Sequence, residues 1–105
     1  MNNILPEEAQ KIIEGGKAVV IDVRTPAEFA EGHIPGAQNI DISDSAFTNK
    51  IRALDPNENY VINCLSGGRS ARACTMMQGL GLVGAMNLEG GFTAWKNAGL
   101  PIENK

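Results

Sequence analysis

The stretch Tyr60-Val61-Ile62-Asn63-Cys64-Leu65-Ser66-Gly67-Gly68-Arg69-Ser70 runs from an apolar, β-branched segment through a cysteine into a loop with two adjacent glycines and an arginine. Tyr60 to Asn63 is predicted as a strand. Helical spacing then begins at about Ser70 and reaches Leu80, with Ala71, Cys74, Met77 or Gln78, and Leu80 near one stripe. Glycines let the backbone curl so that several N–H groups face one point, and a helix N-terminus adds partial positive charge there. A thiol at that point loses its proton easily, because the amides, the helix end and Arg69 all favour the thiolate. The same cradle, Leu65, Ser66, Gly67, Gly68, Arg69 and Ser70, suits a small anion beside the sulfur. Cys64 therefore reads as a reactive residue and not as a packing one.

The pattern on either side repeats the strand-to-helix alternation. Leu5, Ala9, Ile12 and Ile13 recur at helical spacing, and Gly15-Gly16 stops that helix. Ala18-Val19-Val20-Ile21-Asp22-Val23 is nearly continuous in apolar, β-branched residues, as expected of a strand buried on both faces of a parallel sheet. Thr25, Pro26 and Glu28 form a helix start with an N-cap, a proline at the first position and a capping box, and Gly32 closes that short helix. Ala37 to Ile42 forms a brief strand, Phe47, Ile51 and Leu54 mark a helix that ends before Asp55-Pro56, and Val83 to Leu88 offers another strand. Gly90-Gly91 leads into a last helix carrying Phe92, Trp95 and Ala98, closed by Gly99 and Pro101. Such alternation implies one α/β domain: a mainly parallel sheet covered by helices on both faces, in three layers. Sites in such sheets lie at the carboxyl ends of strands, where Cys64 stands.

Composition narrows the class. A chain of 105 residues, 43% hydrophobic and 20% charged, is long enough to bury a core without disulfides or a metal. The net charge is −3, and the nine basic residues are scattered from Lys11 to Lys105, which argues against a nucleic-acid surface. No apolar run approaches the roughly 20 residues of a membrane span. The start, Met1 to Glu8, lacks the basic and apolar regions of a secretory signal, so a cytoplasmic location is expected. Two cysteines allow at most one disulfide, and Cys64, Cys74 and the lone His33 lack the paired spacing of zinc ligands, so neither a metal nor another cofactor is expected.

Three segments together resemble the rhodanese family of sulfurtransferases in its single-domain form. They are Ile21-Asp22-Val23-Arg24 with Glu28-Phe29, Gly32-His33-Ile34-Pro35-Gly36-Ala37 and Asn39-Ile40; the loop from Cys64 to Ser70; and Leu88-Glu89-Gly90-Gly91-Phe92 with Ala94-Trp95 and Ala98-Gly99-Leu100-Pro101. They span nearly the whole chain in the family's order. The resemblance implies a sheet of about five strands and a cysteine, Cys64, that becomes a persulfide on accepting sulfur from thiosulfate or a persulfide donor. The acceptor is then cyanide in vitro, and a thiol or partner protein in cells. The family also implies a loop-length rule: the six residues from Cys64 through Arg69 are typical of sulfurtransferases, whereas related phosphatases carry one residue more.

Other residues have plainer readings. Asp22 and Arg24 end a strand and pair locally, Glu28 caps a helix, and His33 is not needed as a base by a thiolate of low pKa. Phe92 and Trp95 anchor the core, and Met76 and Met77 pack or lie on the surface. Cys74 reads as a core thiol. Two rivals to sulfur transfer stand at this stage. One is a binding or redox-sensing module in which Cys74 resolves an oxidised Cys64; the other is phosphatase or arsenate-reductase chemistry on the same cysteine–arginine loop.

Overall fold

Five strands and five helices alternate along the structure, a computed structural model describing residues 2–104. Met1 and Lys105, the last of the scattered basic residues, lie outside the described residues. The order is β1 (Asn2–Ile4), α1 (Pro6–Glu14), β2 (Val19–Asp22), α2 (Pro26–Glu31), β3 (Gln38–Asn39), α3 (Phe47–Arg52), β4 (Tyr60–Asn63), α4 (Gly68–Gly79), β5 (Ala85–Leu88) and α5 (Gly91–Asn97). The strands form one sheet in the order β1-β5-β4-β2-β3, and every pairing is parallel. β4 is central. Its four residues are all buried, as expected of a central strand whose residues are apolar up to the polar Asn63 at its end.

Alternation along the central strands divides the core in two. Ile21 and Ile62 face a cluster that holds Phe47 and Ile51 of α3 and Ala73, Cys74 and Met77 of α4. Val20 and Val61 face the opposite cluster, with Ala9 of α1 and Phe92 and Trp95 of α5. Successive strand side chains point to opposite faces, so one apolar run feeds both layers. Trp95 is wholly buried, and its indole N–H donates to the Pro101 carbonyl at 2.7 Å, which holds the tail after α5 against the domain. The tail then bridges back: His33 and Glu103 exchange backbone hydrogen bonds of 2.7 and 2.9 Å.

The structure changes four local expectations. β1 has only three residues, too few to show a period, and it exists because the edge of β5 pairs with it: Asn2, Asn3 and Ile4 lie opposite Met86, Asn87 and Leu88. β5 begins at Ala85, not Val83, which is 77% exposed in the preceding turn. The strand expected over 37–42 shrinks to Gln38–Asn39. Finally, α4 starts at Gly68 rather than Ser70. Gly67 adopts φ 114, a left-handed conformation that suits glycine, and its carbonyl accepts the early helical bond from Ala71 N–H at 3.0 Å. The inward stripe of α4 is Ser70, Ala73, Cys74 and Met77, while Leu80 is 38% exposed. A polar Ser70 on the inner face is invisible to a count of apolar positions.

Candidate active site

A buried ion pair frames the carboxyl end of the sheet. Asp22 accepts from the Arg24 backbone N–H at 3.0 Å, from Nε at 3.0 and 3.1 Å and from Nη2 at 2.8 Å. Neither residue reaches solvent to any extent, at 0% and 3% exposed. Arg24 Nη2 also donates to the Gly32 carbonyl at 2.6 Å, and its guanidinium lies 4.5 Å from the centre of the Phe92 ring. Asn39 Nδ2 donates to the carbonyls of Asp22 and Arg24, so the pair ties β2, α2, β3 and α5 into one rim. The expected pairing at the end of this strand is thus present and deeper than a surface reading suggests.

Cys64 follows β4 at the floor of that rim, only 1% exposed, and it touches the α4-side cluster. It packs and is polarised at once. Gly67 N–H donates to Sγ at 3.0 Å, and the Ser70 hydroxyl stands 3.4 Å from it. Burial works against a charged sulfur, but the Ser70 hydroxyl and the amides of Ser70, Gly67 and Ser66 outweigh it and bring the thiol below its ordinary value. The loop carbonyls point the other way. Phe92 N–H donates to the Cys64 carbonyl at 2.8 Å and Thr93 N–H to the Leu65 carbonyl at 3.0 Å. A Cβ at Gly91 would stand 2.6 Å from both carbonyl oxygens, and Gly91 has φ 61, so only glycine lets α5 approach this closely.

Arg69 corrects one expectation. Its guanidinium does not close over the sulfur; it forms a two-pronged pair with Glu28 of α2, at 2.8 and 3.0 Å. Glu28 serves two partners, since it also closes the capping box with Thr25. The Ser70 hydroxyl and the loop amides therefore lead the polarisation at Cys64, and the Arg69 charge acts on it without a hydrogen bond. Arg69 holds Glu28 down to about 2 from 4.5, with burial opposing and Thr25 assisting. A depressed carboxylate contributes stability above its unfolded value that is lost as pH falls through the folded one. Because both side chains are partly exposed, the contribution should be only about 1 kcal/mol. In urea melts, Glu28→Gln should be the weaker protein by that amount at about pH 6, and the gap should close at about pH 2. A gap that stays constant with pH would place the effect in helix capping instead.

Of the remaining loop residues, Ser66 turns its amide toward the sulfur and Leu65 faces a cleft. Leu65 is 43% exposed, and it lines a cavity of about 400 Å³ with Arg24, Glu28, Gly32, Phe92 and Lys96. Ser66 and Gly68 are exposed. His33 is occupied elsewhere: its ring stacks on Phe29 with centroids 3.7 Å apart, and Nδ1 lies 2.8 Å from the Phe29 carbonyl. Cys74 is wholly buried, and burial raises its thiol to about 12, which suits a core residue. Among the described residues, no group of three or more His, Cys, Asp or Glu side chains could hold a metal ion, and no helix is long and apolar enough to cross a membrane.

This arrangement has known counterparts. Residues 5–98 match the rhodanese-like domain. The chain belongs to that family. A sulfurtransferase of Allochromatium vinosum is 38% identical over 96 residues, covering 90% of this chain and 86% of its own. Thiosulfate sulfurtransferase GlpE of Pseudomonas fluorescens is 36% identical over 94 residues, covering 90% and 84%. The crystal structure of a rhodanese-related protein from Thermoplasma volcanium matches with a TM-score of 0.90 at 30% identity, with both chains covered in full.

Within this rhodanese-like domain, the structure gathers Cys64, Gly67 and Ser70 at the sulfur and turns Arg69 away to Glu28. One residue escaped the sequence reading. Asn87 on β5 is 6% exposed, and its Oδ1 lies 2.6 Å from the Ser70 hydroxyl oxygen. Its signal was an amide at a buried position between Met86 and Leu88 on an internal strand.

Proposed function

We propose that this protein is a sulfurtransferase in which Cys64 carries the sulfur as a persulfide. The reading rests above all on the Cys64 sulfur, which receives the Gly67 N–H at 3.0 Å at the carboxyl end of the central strand. The thiolate attacks the outer sulfur of a small anionic donor such as thiosulfate. The S–S bond of the donor breaks, sulfite leaves with the electron pair, and Cys64 bears a terminal S⁻. The amides that favoured the thiolate then face the new anion, an oxyanion-hole type of stabilisation. A thiophilic acceptor attacks the terminal sulfur and restores the thiolate; cyanide serves in vitro, and a thiol or a partner protein in cells. Leu65 joins the loop to the 400 Å³ cleft, which gives that acceptor a route of approach.

Phosphatase or arsenate-reductase chemistry fits less well. A tetrahedral oxyanion calls for an arginine fork around its oxygens, and the fork of Arg69 is engaged by Glu28. The test of the sulfurtransferase reading is direct. Intact mass after thiosulfate treatment should show one added sulfur, removed by cyanide, and steady-state rates should follow ping-pong kinetics. No adduct, or kinetics that require donor and acceptor bound together, would refute it.

A further inference from the structure

Asn87 links the site to the sheet edge. Its Oδ1 stands 2.6 Å from Ser70 Oγ, and its Nδ2 donates to Asn3 Oδ1 at 3.1 Å. Asn3 is its register partner on β1 and is exposed. Ser70 Oγ also lies 3.4 Å from Cys64 Sγ and 3.2 Å from the Gly67 carbonyl. A hydroxyl carries a single hydrogen, so it cannot serve all three acceptors. The shortest contact is the one to Asn87. While Ser70 donates there, it presents only lone pairs to the sulfur, an arrangement that accepts from an S–H and repels an S⁻.

A side-chain amide offers an acceptor and a donor at nearly the same positions, exchanged by a half-turn. After such a turn, Asn87 Nδ2 donates to Ser70 Oγ, and the hydroxyl hydrogen is released toward Cys64 Sγ. Asn87 Oδ1 then accepts from Asn3 Nδ2, once the exposed Asn3 makes the same turn. The heavy-atom contacts survive while every hydrogen bond reverses. We propose that Asn87 is a positioning residue that sets the direction of the Ser70 hydroxyl, and that the Asn3–Asn87–Ser70 chain reverses when Cys64 loses its proton. That proton goes to water, and no member of the chain changes charge. The charged groups around the site are Arg69 of α4 with its Glu28 partner, the Asp22–Arg24 pair after β2, and Lys96 of α5 over Phe92. β5 itself contributes none from Ala85 to Leu88.

The inference deepens the proposed function, since it takes Cys64 as a working thiolate, but its test needs no sulfur transfer. Iodoacetamide alkylation of Cys64 is followed against pH by intact mass in four proteins: the wild type, Asn87→Asp, Ser70→Ala and the double variant. The carboxylate of Asn87→Asp can only accept, so it holds the Ser70 hydrogen away from the sulfur. The alkylation midpoint should rise by about one pH unit. In the Ser70→Ala background the same substitution should move it by less than half as much, because no hydroxyl remains to be turned. A shift of similar size without Ser70 would mark plain charge repulsion or distortion and overturn the proposal, as would no shift at all. Asn3→Asp, on the exposed edge strand, repeats the test should Asn87→Asp fail to fold. It should raise the midpoint by roughly half a unit, again only when Ser70 is present. Thiosulfate loading of the same samples separates the two readings: absent sulfur uptake with an intact Ser70-dependent shift would refute the sulfurtransferase and leave this chain standing.

Discussion

Cys64→Ser is expected to take up no sulfur from thiosulfate, and its turnover should fall by at least about a thousandfold. Serine keeps the volume and accepts the Gly67 N–H that now meets the sulfur at 3.0 Å, so the loop should keep its form. What disappears is the nucleophile: a serine hydroxyl does not ionise beside these amides and the Ser70 hydroxyl, and an oxygen cannot form the S–S bond that stores the sulfur. Circular dichroism and urea melts would confirm the fold, and intact mass would report the missing adduct. A persisting adduct would move the chemistry to Cys74. The structure argues against that, because Cys74 is wholly buried and its thiol is raised to about 12.

The second large effect falls on stability. Asp22→Ala should cost about 3–5 kcal/mol, because it strips a buried arginine of its carboxylate. Arg24 would keep the Gly32 carbonyl and the face of Phe92, neither of which carries a countercharge. A loss of that size is a large share of the roughly 5–15 kcal/mol that holds a small domain together. Asp22→Asn, which retains an acceptor without the charge, should fall between the two proteins in urea midpoint. A cost below about 1 kcal/mol for Asp22→Ala would mean that water reaches Arg24 and that the pair is not structural. Because the pair also ties the end of β2 to the rim through Asn39, surviving protein should show weaker sulfur transfer at the neighbouring loop.

The architecture was legible because its signals are local. Apolar runs that end in one polar residue, at Val19–Asp22 and Tyr60–Asn63, report strands buried on both faces, and the Thr25-Pro26-Ala27-Glu28 box fixes a helix start within a residue. The same holds for the loop, where a strand, a cysteine, two glycines and a helix already imply amides turned toward one sulfur. The losses have equally physical causes. β1 carries too few residues for a period and owes its conformation to the edge of β5. Gly68 belongs to α4 because Gly67 supplies the left-handed cap, a backbone property that composition alone does not locate.

Which side chains meet across the sheet lay beyond the sequence. Arg69 and Glu28 are 41 positions apart, and nothing in either neighbourhood says that the cap of α2 will also claim the arginine of the loop. The Ser70–Asn87–Asn3 chain joins α4, β5 and β1, whose meeting is decided by strand order and not by any motif. The sequence by itself determined the element types, the placing of Cys64 at a strand end and the glycine-built cradle, since these depend on backbone geometry and short-range periodicity. Tertiary structure alone decided that amides and a hydroxyl meet the sulfur while the fork of Arg69 pairs with Glu28. Attraction between charges strengthens as they approach, and the fold put Glu28 within 2.8 Å of Arg69.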